Sequence, residues 1–155
     1  MTNSEWLAEF RGFFWGEGNF MIDIMHRKVN NYLTYDIRVR VRIIQRDDER
    51  PVLMAIQKRF GGHVTTHKAF MSNDGRGYLS HKQITWQCTA RDQVKIVLDA
   101  LDNGHLPHSK HFQIAVMREA MGVMQSRRHK YTDEQIAKLR ELKNRLQNLR
   151  KYVGS

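Results

Sequence analysis

The stretch YDIRVRVRIIQRD, residues 35–47, constrains the fold of this chain more than any other. Ile37, Val39, Val41 and Ile43 alternate with Arg38, Arg40 and Arg42. Successive side chains on a strand point to opposite faces, so the segment is a strand with one aliphatic face and one cationic face. A strand of an all-parallel sheet is covered on both faces and reads as a continuous apolar run. The alternation instead requires an antiparallel sheet with one face packed and one face open. Something else in the chain must cover the aliphatic face.

Helical periodicities supply the cover. Trp6, Leu7, Phe10, Phe13 and Phe14 recur at helical spacings from Ser4 to Trp15, with Asn3 or Ser4 as the expected cap. Residues 19–28 then alternate with period two, and Asn30-Asn31 makes a turn into the arginine strand. Asp47 or Asp48 is expected to cap a second helix that carries Pro51 in its first turn and stops at Gly61-Gly62. A second hairpin follows, from His63 to about Phe70, through a turn at residues 72–75, and back from Tyr78 to Thr89. Helices are expected at Arg91–Leu101, from Ser109 to about Gln125, and from Thr132 to about Arg150. The order is αββαββα with further helices, an α+β fold. The chain of 155 residues is expected to be one domain, 1–155, with a C-terminal helical extension over about 127–151. In that extension Ile136, Leu139, Leu142, Leu146 and Leu149 form a stripe expected to pack on the domain.

Charge narrows the partner. Twenty-six Lys and Arg against 16 Asp and Glu give a formal net charge of +10, which favours a polyanion. No window approaches about 18 consecutive apolar residues, and no signal segment is visible, so an intracellular site is expected, in cytoplasm, nucleoid or organelle matrix, with no membrane partner and no small-molecule ligand. The single cysteine, Cys88, cannot form an internal disulfide. Arg38, Arg40 and Arg42 stand roughly 7 Å apart on one face, an arrangement that calls for an anion above it. The neighbouring strand offers Gln83, Thr85 and Gln87 on the matching face. Arg and Gln are the side chains that make bidentate contacts to guanine and adenine in the major groove. With Arg46 and the hairpin residues Arg27 and Lys28, these are the expected contacts to double-stranded DNA. His63 and His67, and the histidines near Pro107, lack the paired short spacings of a structural zinc site.

A second stretch, FFWGEG at residues 13–18, points to chemistry. Gly12 and Gly16 lie four apart, and small residues at that spacing let two helices touch backbone to backbone. Glu17 falls at the C-terminal end of the helix, where the dipole is negative and a carboxylate wants a cation. If two copies cross through Gly12 and Gly16, with Phe13 beside them in the interface, two Glu17 carboxylates converge. Such a pair is stable only with a shared proton or a divalent metal between the carboxylates, and a divalent cation such as Mg²⁺ takes oxygen ligands.

The segment FRGFFWGEGNF, residues 10–20, resembles the signature of the LAGLIDADG homing endonucleases through Gly12, Gly16, Glu17, Gly18 and Phe20. Arg11 stands where a small residue is usual, and Trp15 where Asp is usual. The αββαββα order to about Gln125 and the tail TDEQIAKLRELKNRLQNLRKY are also similar to that family. The resemblance implies a site-specific, intron-encoded double-strand DNA endonuclease. The motif occurs once, which implies a homodimer whose paired sheets sit over the major groove of a long pseudo-palindromic site. Glu17, with Gly16 beside it, is implied to hold Mg²⁺ for phosphodiester hydrolysis. A polar residue near the end of the second strand, here Gln45, is implied to organise water at the metal. A basic residue near the end of the fourth strand, here Arg91 with Lys95 behind it, is implied to face the scissile phosphate. An intron RNA splicing factor or a non-cleaving DNA-binding protein on the same scaffold is the alternative.

Overall fold

The computed structural model describes residues 1–68, 82–102, 108–124 and 130–151. A helix α1 (Asn3–Glu17) leads directly into strand β1 (Gly18–Val29), which turns back as β2 (Tyr32–Arg46). A 3-10 turn at Asp47–Glu49 precedes α2 (Arg50–Phe60), followed by β3 (His63–His67) and β4 (Gln83–Cys88). Three helices close the order: α3 (Arg91–Leu101), α4 (His108–Val123) and α5 (Asp133–Lys151). The expected turn at residues 72–75, most of the β3–β4 hairpin and the basic residues 127–129 lie outside the described residues. No helix among the described residues is long and apolar enough to cross a membrane.

The four strands form one antiparallel sheet in the order β1-β2-β4-β3. Asn30 and Asn31 both adopt positive φ, 50° and 66°, the backbone of a two-residue turn whose twist matches the strands it joins. The aliphatic face expected from the sequence is the packed one: Phe20, Ile22, Ile37, Val39, Val41, Ile43, Ile84, Trp86 and Cys88 are all buried. Leu53, Ile56 and Phe60 of α2, Val94, Val97 and Leu98 of α3, and Ile114 and Met117 of α4 cover it. An aromatic chain from Trp6 through Phe10 and Phe14 to Phe20 stitches α1 onto the sheet, with ring centroids 5.1–6.0 Å apart. Gly61 ends α2 at φ 77°, and its carbonyl accepts the indole N–H of Trp86 at 2.8 Å.

Two expected helix starts are corrected. Thr2, not Asn3 or Ser4, caps α1: its hydroxyl accepts from the Glu5 N–H, and its own N–H donates to the Glu5 carboxylate at 2.6 Å. The reciprocal pair needs an acid three residues after the cap, which Thr2 has in Glu5. Asp47 and Asp48 do not cap α2. They lie in the 3-10 turn, and the Asp47 carboxylate is spent on Arg50 at 2.8 Å and Lys82 at 3.7 Å. The apolar stripe of α5 packs as expected, with Ile136, Leu139, Leu142 and Leu146 buried against the rest of the molecule. Lys138 and Arg145 both reach Glu119 of α4 and Glu141 of α5.

Candidate active site and nucleic-acid interface

Glu17 is the last residue of α1 and is exposed. Helix and strand join without a linker because Gly18 is glycine: a Cβ there would lie 2.4 Å from the Phe14 ring. The Gly18 N–H closes the helix on the Phe14 carbonyl, and Gly18 pairs with Ile43 as the first rung of the sheet. Gly12 and Gly16 are exposed, and a Cβ on either would meet nothing within 4 Å. With Ala8 they form an open small-residue stripe that ends at Glu17. Phe13, beside them, is half-buried and packs in part on the core. Arg11 turns away from the stripe, and its Nε donates to the Ala100 carbonyl of α3 at 2.8 Å.

A buried lysine holds the residue that follows the acid. Lys110, in the first turns of α4, is only 7% exposed. Its Nζ donates to the Gly18 carbonyl at 2.9 Å and lies 5.6 Å and 5.8 Å from the ring centroids of Phe14 and Phe20. Burial, and then the positive charge of Arg150, push its pKa down to about 8. The sequence reading passed over this residue. A signal was present, because Lys110, Gln113, Ile114 and Met117 share the buried face of α4, and a lysine on that face is out of place.

Gln45 stands opposite Ile84, two residues beyond the rung where β1 starts, on the helix-covered side of the sheet. This overrun of β2 brings Gln45 level with the end of α1. Arg91 is the first residue of α3. Strand β4 runs from a rung beside Arg46 to one beside Val41, so its end points away from the Glu17 end of the sheet. Lys110 is a cation held on the carbonyl of Gly18, the residue that follows the acid.

The open face of the sheet is basic, as its alternation requires, but it is less bare than expected. Asp23 of β1 takes Arg40 at 2.6 Å, and Asp36 takes Arg38 at 3.1 Å. Arg40 also donates to Gln87 at 3.4 Å. Carboxylates within the hairpin thus offset part of the repulsion that the arginine row alone implied. Arg42, beside Gln87 and Asn19 in the register, has no acidic partner among the described residues. Arg40, Arg42, Gln83, Thr85 and Gln87 line an open trough of about 700 Å³. Thr85 forms its floor at 5% exposure, so its hydroxyl is recessed. Arg46, loosely paired with Asp48 at 3.9 Å, and Arg27 and Lys28 near the hairpin tip are exposed. Thr65, His67 and Lys68 complete the opposite wall of the trough. The alternation of HVTTH could have marked the first two.

The profile of the LAGLIDADG endonucleases matches residues 10–121, from the aromatic half of α1 into α4. This chain belongs to the LAGLIDADG endonuclease family. Comparison with curated proteins finds no match. Among solved structures, the homing endonuclease I-TnaI is 20% identical with a TM-score of 0.65, and the match covers 95% of this chain and 97% of that one. I-LtrWI, solved bound to target DNA, is 17% identical with a TM-score of 0.70 over 90% of this chain and 43% of its own. I-CvuI, in complex with its target in the presence of 2 mM Ca, is 18% identical with a TM-score of 0.69, covering 94% and 82%. These likenesses give the LAGLIDADG chain its α+β fold. The two departures in its motif also have a place: Arg11 ties α1 to α3, and Trp15 is an exposed aromatic, at 37%, next to Gly16.

Proposed function

We propose that this chain is a site-specific DNA endonuclease that acts as a homodimer and uses a divalent cation, Mg²⁺, to hydrolyse one phosphodiester in each strand. The observation that carries the proposal is the placement of the exposed Glu17 at the end of α1, next to Gly12 and Gly16, which leave room for a second copy.

Hard divalent cations take six or more oxygen ligands. One chain offers the Glu17 carboxylate and exposed main chain at Gly16, and no cluster of three or more His, Cys, Asp or Glu occurs among the described residues. A second copy crossing at Gly12 and Gly16 doubles that donor set, and phosphate oxygens and water complete it. The donors are all oxygen, which fits Mg²⁺ or Ca²⁺ and not a soft metal. A cation bound there would neutralise charge on the phosphate and lower the pKa of bound water.

The other roles fall to the chain itself. Glu17 supplies the negative charge that the cation needs. Lys110, held on the Gly18 carbonyl with a pKa of about 8, can keep or release a proton near working pH, which suits management of the proton of an attacking water. Gln45, at the overrun end of β2, orients that water. The trough of Arg40, Arg42, Gln83 and Gln87 sits over the major groove and reads base edges, with Arg38, Arg46, Arg27 and Lys28 along the backbone. The relatives support this reading, since I-LtrWI is bound to target DNA and I-CvuI to its target with Ca present.

The test is a cleavage selection on a randomised duplex library with Mg²⁺, run in parallel with Glu17→Gln. Cuts enriched at one pseudo-palindromic site, and absent for Glu17→Gln, are the expected result. Selective binding without cutting by the unaltered protein would overturn the nuclease reading.

A further inference from the structure

The arginines of β2 are not held alike. Arg38 meets a single carboxylate oxygen, Oδ2 of Asp36 on its own strand, at 3.1 Å, and 56% of its side chain is exposed. Arg40 is gripped from both neighbouring strands. Its Nε lies 2.6 Å from Oδ2 of Asp23 on β1, and its Nη2 donates to Oδ1 of the same carboxylate at 3.1 Å. Asp23 stands opposite Arg38 in the register, so it reaches Arg40 on the diagonal. From the other side, Nη1 of Arg40 donates to the amide oxygen of Gln87 on β4 at 3.4 Å. Only 23% of the Arg40 side chain is exposed.

These contacts decide which edge of the guanidinium is left. The group carries five N–H donors in a rigid plane. Asp23 covers the edge made by Nε and Nη2, and Nε is shut off from solvent. Gln87 takes one hydrogen of Nη1, at a distance longer than a usual N–H···O bond. Arg40 lines the open trough, and what it has left for a ligand there is the end-on pair, one N–H from Nη1 and one from Nη2. Two parallel donors match the two adjacent acceptors of guanine, O6 and N7. In the major groove adenine offers one acceptor and one donor, cytosine a donor, and thymine an acceptor beside a methyl group.

We infer that Arg40 reads a guanine in the DNA site, and that Asp23 is the positioning residue that holds it in the reading geometry. The inference rests on the proposed DNA-binding function and deepens it, since it names the base and the residue that fixes its reader. A fork held in place before DNA arrives has less side-chain freedom to lose on binding. The negative charge of Asp23 lowers the attraction for every duplex equally, whereas its grip on Arg40 acts on one base.

The experiment is a binding selection on a randomised duplex library, followed by anisotropy with duplexes that carry each of the four base pairs at the selected positions. The unaltered chain is compared with Asp23→Asn, Arg40→Lys, Arg40→Gln and, as a control, Arg38→Gln. The unaltered chain should require guanine at one position in each half-site, by about tenfold or more over the other bases. Arg40→Gln should lose that requirement there and nowhere else, and Arg38→Gln should keep it. Arg40→Lys keeps the charge without the fork, so it should bind random-sequence duplex as before and lose the guanine requirement. Asp23→Asn should relax the same position while binding random-sequence duplex at least as tightly as the unaltered chain; an aspartate that only supports the fold would weaken binding to every sequence alike. A guanine requirement that survives in Arg40→Gln or in Asp23→Asn, or a selected site with no position that depends on Arg40, overturns the assignment and leaves the nuclease reading intact. If Asp23→Asn fails to fold, Arg40→Lys decides, and retained guanine there also overturns it. A chain that binds no duplex at all would sink both readings.

Discussion

Replacing Lys110 with Met tests the buried ammonium directly. Met has similar length and no charge. The fall in the Lys110 pKa from its ordinary value of 10.5 to about 8 corresponds to about 3 kcal/mol against the charged form in the folded chain. Removing the charge relieves that cost at pH 7. It also deprives the Gly18 carbonyl of its 2.9 Å donor, a loss of about 1–3 kcal/mol. The two effects nearly cancel, so Lys110→Met should stay folded at neutral pH. The pH dependence separates them. Folded Lys110 gives up its proton near pH 8, whereas the unfolded chain holds it to 10.5. Between those values the unfolded state binds more protons, so this lysine makes stability rise with pH. The burial of Cys88 pushes its thiol from 9.0 up to about 11 and acts in the opposite sense, but it does so in both proteins and drops out of their difference. Urea unfolding at pH 7.5 to 10.5, followed by circular dichroism, should show the unaltered chain gaining about 3 kcal/mol on Lys110→Met over that range. Parallel curves would refute a lysine held against its charge. In the cutting assay Lys110→Met should lose activity at every pH while still binding duplex.

Two further outcomes are expected. Gly12→Leu meets nothing within the chain, so its melting temperature should hold while sedimentation shows monomer in place of dimer; a dimer of that variant would exclude crossing at the small-residue stripe. Gln113 is 1% exposed, and both of its amide atoms lack a partner among the described residues, so Gln113→Leu should raise stability by about 1–2 kcal/mol in a denaturant titration; a loss would mean that the amide is satisfied.

Much of the fold was legible because two periodicities dominate it. The alternation of Ile37 to Ile43 with arginines could serve only a half-covered antiparallel strand, and the aromatic spacing of α1 could serve only a helix lying on it. Gly16 and Gly18 were readable as the bracket of a helix end, but that Gly18 must lack a Cβ because Phe14 lies against it is a fact of the packing. Caps were less legible. Thr2, Asn3 and Ser4 are all competent, and only the reciprocal bond with Glu5 chooses among them.

Contacts between distant segments were not determined locally. Nothing in residues 35–47 announces that Asp23 will neutralise Arg40, because that ion pair depends on the register of the β1–β2 hairpin. Lys110 is 92 positions from the carbonyl it holds, and Arg150 lies further still along the chain. Sequence periodicity says which face a side chain occupies. It does not say which other face will meet it, and that pairing, which sets burial and therefore the protonation of Lys110, is decided only when the helices close over the sheet.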